Sequence, residues 1–192
     1  MELARRRCRM SPPRRRYVAL LRAINVGGRV VKMTALKRIF ENLKLAGVET
    51  FIASGNVVFT SASEPARLAS RIEQGLEEAL GYPVVTFLRT TDEIAAVAAR
   101  APFGTAVPEG GRIYVGFLRE PPSPSARRKV MALTTAADTF AVDGRELYWM
   151  CAVPSMESII SGATLEKVLG QPATLRNVNT IRRLAAKYPG GS

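Results

Sequence analysis

The sequence predicts an α+β fold whose first half is a ferredoxin-like βαββαβ unit with an antiparallel sheet. Three observations carry this. Residues 17–24 (YVALLRAI) form an apolar run broken only by Arg22, as in a buried strand. Apolar residues at 33, 36, 39, 40 and 43 then recur at the spacing of one helix face. Two strand-like runs, 48–54 (VETFIAS) and 56–60 (NVVFT), meet around Gly55-Asn56, a hairpin signal. That hairpin doubles the chain back where a dinucleotide-binding Rossmann unit would need a parallel strand. Residues 91–192 are expected to form a second α/β half of related but incomplete topology, packed closely on residues 17–90.

The elements follow in order. Residues 1–16 (MELARRRCRMSPPRRR) lack periodicity and read as a flexible basic arm. This arm either grips phosphates or lies upstream of a second initiator, Met10. After the first hairpin, Ser63 is positioned to cap a helix with Leu68, Ile72, Leu76 and Leu80 on its apolar face, and Gly81 stops it. Residues 84–88 make the fourth strand. Thr90 to Glu93 form a capping box opening a helix that Pro102 closes. Residues 112–118 (RIYVGFL) alternate as a strand, and a short basic helix follows at 125–133. Asp143-Gly144 joins strands at 139–142 and 145–151 and is the strongest hairpin signal in the chain. A helical stretch at 164–169 precedes a last helix, expected to start near Thr174 and run to Tyr188. No repetition between the halves is visible residue by residue.

Composition limits the chemistry. The chain has 192 residues, 47% of them apolar, and a formal charge of +12. Its first 16 residues hold seven arginines and one glutamate, so half of that charge lies in the arm. There is no histidine, which removes Ser-His-Asp triads and histidine metal sites. Two distant cysteines, Cys8 and Cys151, argue against a disulfide framework or a zinc site and fit a reducing cytoplasm. Neither a Walker nor a Rossmann phosphate motif occurs, so no metal and no cofactor is expected. No apolar segment reaches the ~18–20 residues of a membrane span, and no membrane partner is expected. Glu73, Glu77 and Glu78 read as a solvated helix face, and Asp92 and Glu93 as helix-dipole partners.

What remains is a set of arginine and neutral polar residues at element ends. Arg22 and Asn25 flank the Gly27-Gly28 turn; Ser54, Gly55 and Asn56 form the first hairpin; Arg176, Asn177, Asn179 and Thr180 are expected in the first turns of the last helix. Such groups hold a phosphate or carboxylate better than they activate a nucleophile. The expected function is binding of a small anionic ligand through these residues, with no catalytic group assigned. Two alternatives stand beside it: nucleic-acid binding through the arm, and a non-enzymatic structural role in which Arg22 meets a buried carboxylate and the asparagines cap helices. A sheet that stacks bases, as in the RNA recognition motif, has little support, with only Tyr17 and Phe59 on the relevant strands.

The same clusters resemble the signature stretches of a bacterial family, domain of unknown function 1697. Its L-R-G-I-N-V-G-G turn is similar to residues 21–28 (LRAINVGG), its S-G-N-V-V-F hairpin to 54–59, and its T-x-R-N-W-N-T stretch to 174–180 (TLRNVNT). Ala23 stands where the family has glycine and Val178 where it has tryptophan, and 155–161 (SMESIIS) lacks the usual serine-lysine pattern. The resemblance covers residues 17–188 and implies the two-part α/β fold, without an activity.

Overall fold

A computed structural model describes residues 13–25, 30–53, 55–104, 110–152 and 158–191. The first sheet consists of β1 (Arg15–Leu21), β2 (Ala46–Phe51), β3 (Asn56–Ser61) and β4 (Thr86–Thr90), in spatial order β2-β3-β1-β4. Every neighbouring pair is antiparallel. Helix α1 (Met33–Asn42) links β1 to β2, and α2 (Pro65–Leu80) links β3 to β4. This is the expected ferredoxin-like βαββαβ order. A third helix, α3 (Thr91–Ala99), follows β4 directly, and its Thr90–Glu93 capping box is present with both reciprocal bonds.

The second half repeats this plan in full. Strands β5 (Arg112–Leu118), β6 (Asp138–Asp143), β7 (Glu146–Cys151) and β8 (Ala173–Asn177) stand in the order β6-β7-β5-β8, again all antiparallel. Helices α4 (Pro124–Met131) and α5 (Gly162–Leu169) make its crossovers, and α6 (Val178–Lys187) follows β8 as α3 follows β4. The expected incomplete topology is thus corrected by one element. Residues 173–177 are a strand paired with β5, not the start of the last helix. Leu175 lies in helical phase with Val178, Ile181 and Leu184, which extended the apparent helix backwards. By the same repeat α3 follows the first sheet as α6 follows the second.

Alternation along the strands builds the core. In β1, Val18 and Leu20 point to one face and Tyr17, Ala19 and Leu21 to the other. The second set packs with Leu36 and Phe40 of α1 and Leu68, Ile72 and Leu76 of α2. The first set meets Val115, Phe117 and Tyr148 of the second sheet, so the two sheets pack face to face. Ile94 and Val97 of α3 and Ile181 and Leu184 of α6 belong to that shared core. Val130, Leu165 and Leu169 of α4 and α5 cover the outer face of the second sheet. Tyr17 and Phe59 are buried under helices, so neither offers a ring for base stacking.

Two further departures are local, and one expected turn is present. Arg15 and Arg16, assigned to the arm, lie in β1 opposite Ser61 and Thr60. Glu64, not Ser63, caps α2, its carboxylate accepting from the Arg67 N–H, with Pro65 in the first turn. Gly55 makes the expected turn at φ 71°, where a Cβ would also lie 2.7 Å from Ile24 Cγ2.

Candidate functional site

Two pairs of arginines fasten the halves together by closely corresponding contacts. In β4, Arg89 donates from Nε to Glu146 Oε1 at 2.6 Å, from Nη1 to the Leu88 carbonyl and from Nη2 to the Leu118 carbonyl at 2.9 Å. In β8, Arg176 donates from Nε to Asn56 Oδ1 at 2.8 Å, from Nη1 to the Leu175 carbonyl and from Nη2 to the Leu21 carbonyl at 2.8 Å. Each reaches from the fourth strand of its own half to the end of the first strand and the start of the third in the other. Outside them, Arg22 holds Glu166 of α5 through two bonds of 2.6 and 2.7 Å, and Arg119 holds Glu73 of α2. Glu166 also accepts from the Ala173 N–H, as Glu73 does from the Thr86 N–H. Glu73 is therefore a link between halves rather than part of a solvated face.

The two clamps differ chemically at four places, the first being a second Nη2 bond of Arg89, to the Arg145 carbonyl at 3.2 Å, that Arg176 lacks among the described residues. Glu146 gives Arg89 a carboxylate, whereas Asn56 gives Arg176 a neutral amide. Phe87 in β4 corresponds to Thr174 in β8, whose Oγ1 accepts from Arg176 Nη1 at 2.8 Å. Phe117 lies 5.4 Å from the Arg89 guanidinium, while its counterpart in β1 is Leu20. Burial lowers Arg89 while Glu146 opposes the shift; burial alone brings Arg176 to about 10, so it stays protonated at neutral pH. Arg176 is 8% exposed and pairs with no carboxylate among the described residues. Among the described residues its five N–H groups make four bonds, leaving one on Nη2.

A cavity of 470 Å³ adjoins this cation, lined by Arg22, Ala23, Leu147, Leu165, Thr174 and Arg176 among others. The two arginines singled out in different halves thus share one cavity. Arg22 is half-buried and its charge is met by Glu166, whose carboxyl is held below its ordinary range. Burial works to raise that carboxyl, and the bonds from Arg22 and the Ala173 N–H outweigh it. Ala23, an exposed lining residue, has φ 53°, the left-handed region that favours glycine.

The other expected ligand residues fall elsewhere. Asn25 joins loop backbone, donating to the Ala53 carbonyl and accepting from the Val31 N–H. Gly27, Gly28 and Ser54 lie outside the described residues. Gly55 serves the turn, and its carbonyl accepts from the Leu21 N–H. Asn56 is buried, donating to the Phe51 carbonyl and accepting from Arg176. Asn177 caps α6 by accepting from the Asn179 N–H. Asn177 and Asn179 line a separate small cavity with Arg112 and Arg182, and Thr180 follows in the first turn of α6. Sequence reasoning missed Thr174 and Leu165 as lining residues and Arg89 as the counterpart of Arg176. The Leu-Arg pair closing β4 and β8 was the available signal.

Comparison with known proteins agrees with this architecture. The family model described as "Protein of unknown function (DUF1697)" matches residues 14–148. Among solved structures, the chain is similar to the conserved bacterial protein SP0830 from Streptococcus pneumoniae, with a TM-score of 0.74 and 22% identity. That match covers 93% of this chain and 100% of the other. No curated protein matches the sequence. Among the described residues no helix is long and apolar enough to cross a membrane. With its model matched over most of the length, the chain belongs to the DUF1697 family of proteins of unknown function.

Proposed function

We propose that the protein binds a small anion in the cavity between its halves, with Arg176 as the cationic anchor. One observation carries the reading: of two arginines in corresponding positions, one is neutralised by Glu146 and the other has the neutral Asn56 in that place, with no carboxylate partner among the described residues and an open cavity beside it. An unneutralised buried cation gains from an anion what Arg89 gains from its carboxylate. Arg22 contributes at the rim as far as its bond to Glu166 allows, since its Nη1 has no partner among the described residues. Asn25, Asn177, Asn179 and Thr180 are not part of this site.

A thermal-shift screen of small carboxylates and phosphates tests the proposal. A ligand present at 100 times its Kd stabilises the fold by about 2.7 kcal/mol. Asn56→Asp supplies the missing carboxylate from inside and removes the ligand-induced shift while the protein stays folded. If no anion moves the melt, or if Asn56→Asp responds as the parent does, the proposal is wrong.

A further inference from the structure

Resting on that reading, we infer that the site takes an organic monocarboxylate with an apolar body, in preference to a phosphate ester or nucleotide. The charge balance points to one negative charge. Arg22 and Arg176 line the cavity with two positive charges and Glu166, bonded to Arg22 from outside the lining, returns one negative charge, so among the described residues the site holds a single net positive charge. A dianionic phosphate group would leave one charge unmatched beside buried apolar residues, a costly arrangement.

The lining points to the rest of the molecule. Leu147 and Leu165 are fully buried, and Ala173, Leu175 and Gly162 continue the apolar wall. Against this stand few polar groups: Arg22, Thr174 and Arg176. The volume of 470 Å³ is within the range of about 300–1,000 Å³ typical of small-molecule sites, which pair an apolar wall with a few fixed polar groups. The donors match a carboxylate. Among the described residues Arg176 keeps one N–H on Nη2, and Thr174 Oγ1, already accepting from Arg176 Nη1, keeps its own O–H to donate. The pseudo-equivalent position is Phe87, which offers no such hydroxyl.

The test uses the full chain with butanoate, hexanoate, octanoate and benzoate, the matching primary amides, and inorganic phosphate and adenosine monophosphate. Calorimetric Kd values should tighten about fourfold per added methylene until the cavity is full. The amides should bind at least tenfold more weakly than the acids, and the phosphates should not bind. Thr174→Val, which keeps shape and removes the hydroxyl, should weaken the acids about tenfold. Asn56→Asp should abolish their binding, with circular dichroism verifying that both variants fold. If phosphate or the nucleotide binds at Arg176 and the acids do not, anion binding stands and the monocarboxylate assignment falls. If acids and amides bind equally, the cation is not the anchor and both readings fall. If nothing in the series binds, both fall as well.

Discussion

Glu146→Gln should destabilise the protein by about 2–3 kcal/mol, because it turns the Arg89 clamp into a copy of the Arg176 clamp. The magnitude comes from the molecule itself. Burial beside a neutral amide brings Arg176 from 12.5 to about 10, which at 1.36 kcal/mol per tenfold change is roughly 3 kcal/mol of unrelieved desolvation. Arg89 is buried more deeply, at 1% exposure, and its Nε bond to Glu146 is short at 2.6 Å. Glutamine preserves a neutral acceptor, so the loss should stay below the ~3–5 kcal/mol of a buried pair broken outright. Urea denaturation reads the change: with m near 2–3 kcal/mol/M, the midpoint should fall by about 1 M at unchanged slope. Adding Arg89→Met to Glu146→Gln should recover much of the loss, since the stranded charge is then gone. A loss under about 0.5 kcal/mol would show that the carboxylate does not neutralise Arg89 and that the contrast with Arg176 has no energetic content.

Ala23→Gly should stabilise the fold by about 0.5–1 kcal/mol, measured by the same denaturation. Relief of a left-handed φ of 53° is worth ~1–2 kcal/mol, and glycine's extra unfolded-state entropy returns part of it. Glu166 is held below its ordinary 4.5, so the native state binds fewer protons than the unfolded chain as pH falls through that range. Its contribution is therefore complete above about pH 4.5 and lost on acidification; Arg22→Gln should make the acid loss of stability shallower between pH 6 and 3. A chain starting at Tyr17 should be less stable by about 1–2 kcal/mol than one starting at Pro13, because it lacks the Arg15 and Arg16 rungs opposite Ser61 and Thr60. Equal melting of the two would assign those residues to the arm after all.

Much of the fold was legible because its signals are local. The apolar run at β1, the Gly55 and Gly144 turns and the Thr90–Glu93 capping box each act within a few residues. The repeat was expected from the order of elements but stayed invisible residue by residue, because connections of different length shift the offset between copies from strand to strand. Once aligned by their sheets, Arg15-Arg16-Tyr17-Val18 faces Arg112-Ile113-Tyr114-Val115, and Leu88-Arg89 faces Leu175-Arg176. β8 was lost to a helical phase that Leu175 happens to share. The site was half legible: Arg22 and Arg176 stood out as arginines at element ends, and both line one cavity. Asn25 and Asn177 stood out by the same criterion and bond to backbone, because asparagine suits a turn or cap as well as it suits a ligand. Neither Asn56 as the partner of Arg176 nor Glu166 as that of Arg22 was readable, since each joins residues more than a hundred positions apart.

The two arginines supply the most direct measurement, each serving as the other's control. Guanidinium N–H resonances of Arg89 and Arg176, both buried and hydrogen-bonded, can be followed by NMR as octanoate is titrated into the folded protein. The Arg176 signals should shift and saturate with the calorimetric Kd while those of Arg89 stay in place. Movement of Arg89 alone, movement of both together, or saturable binding that leaves Arg176 unchanged would contradict the account.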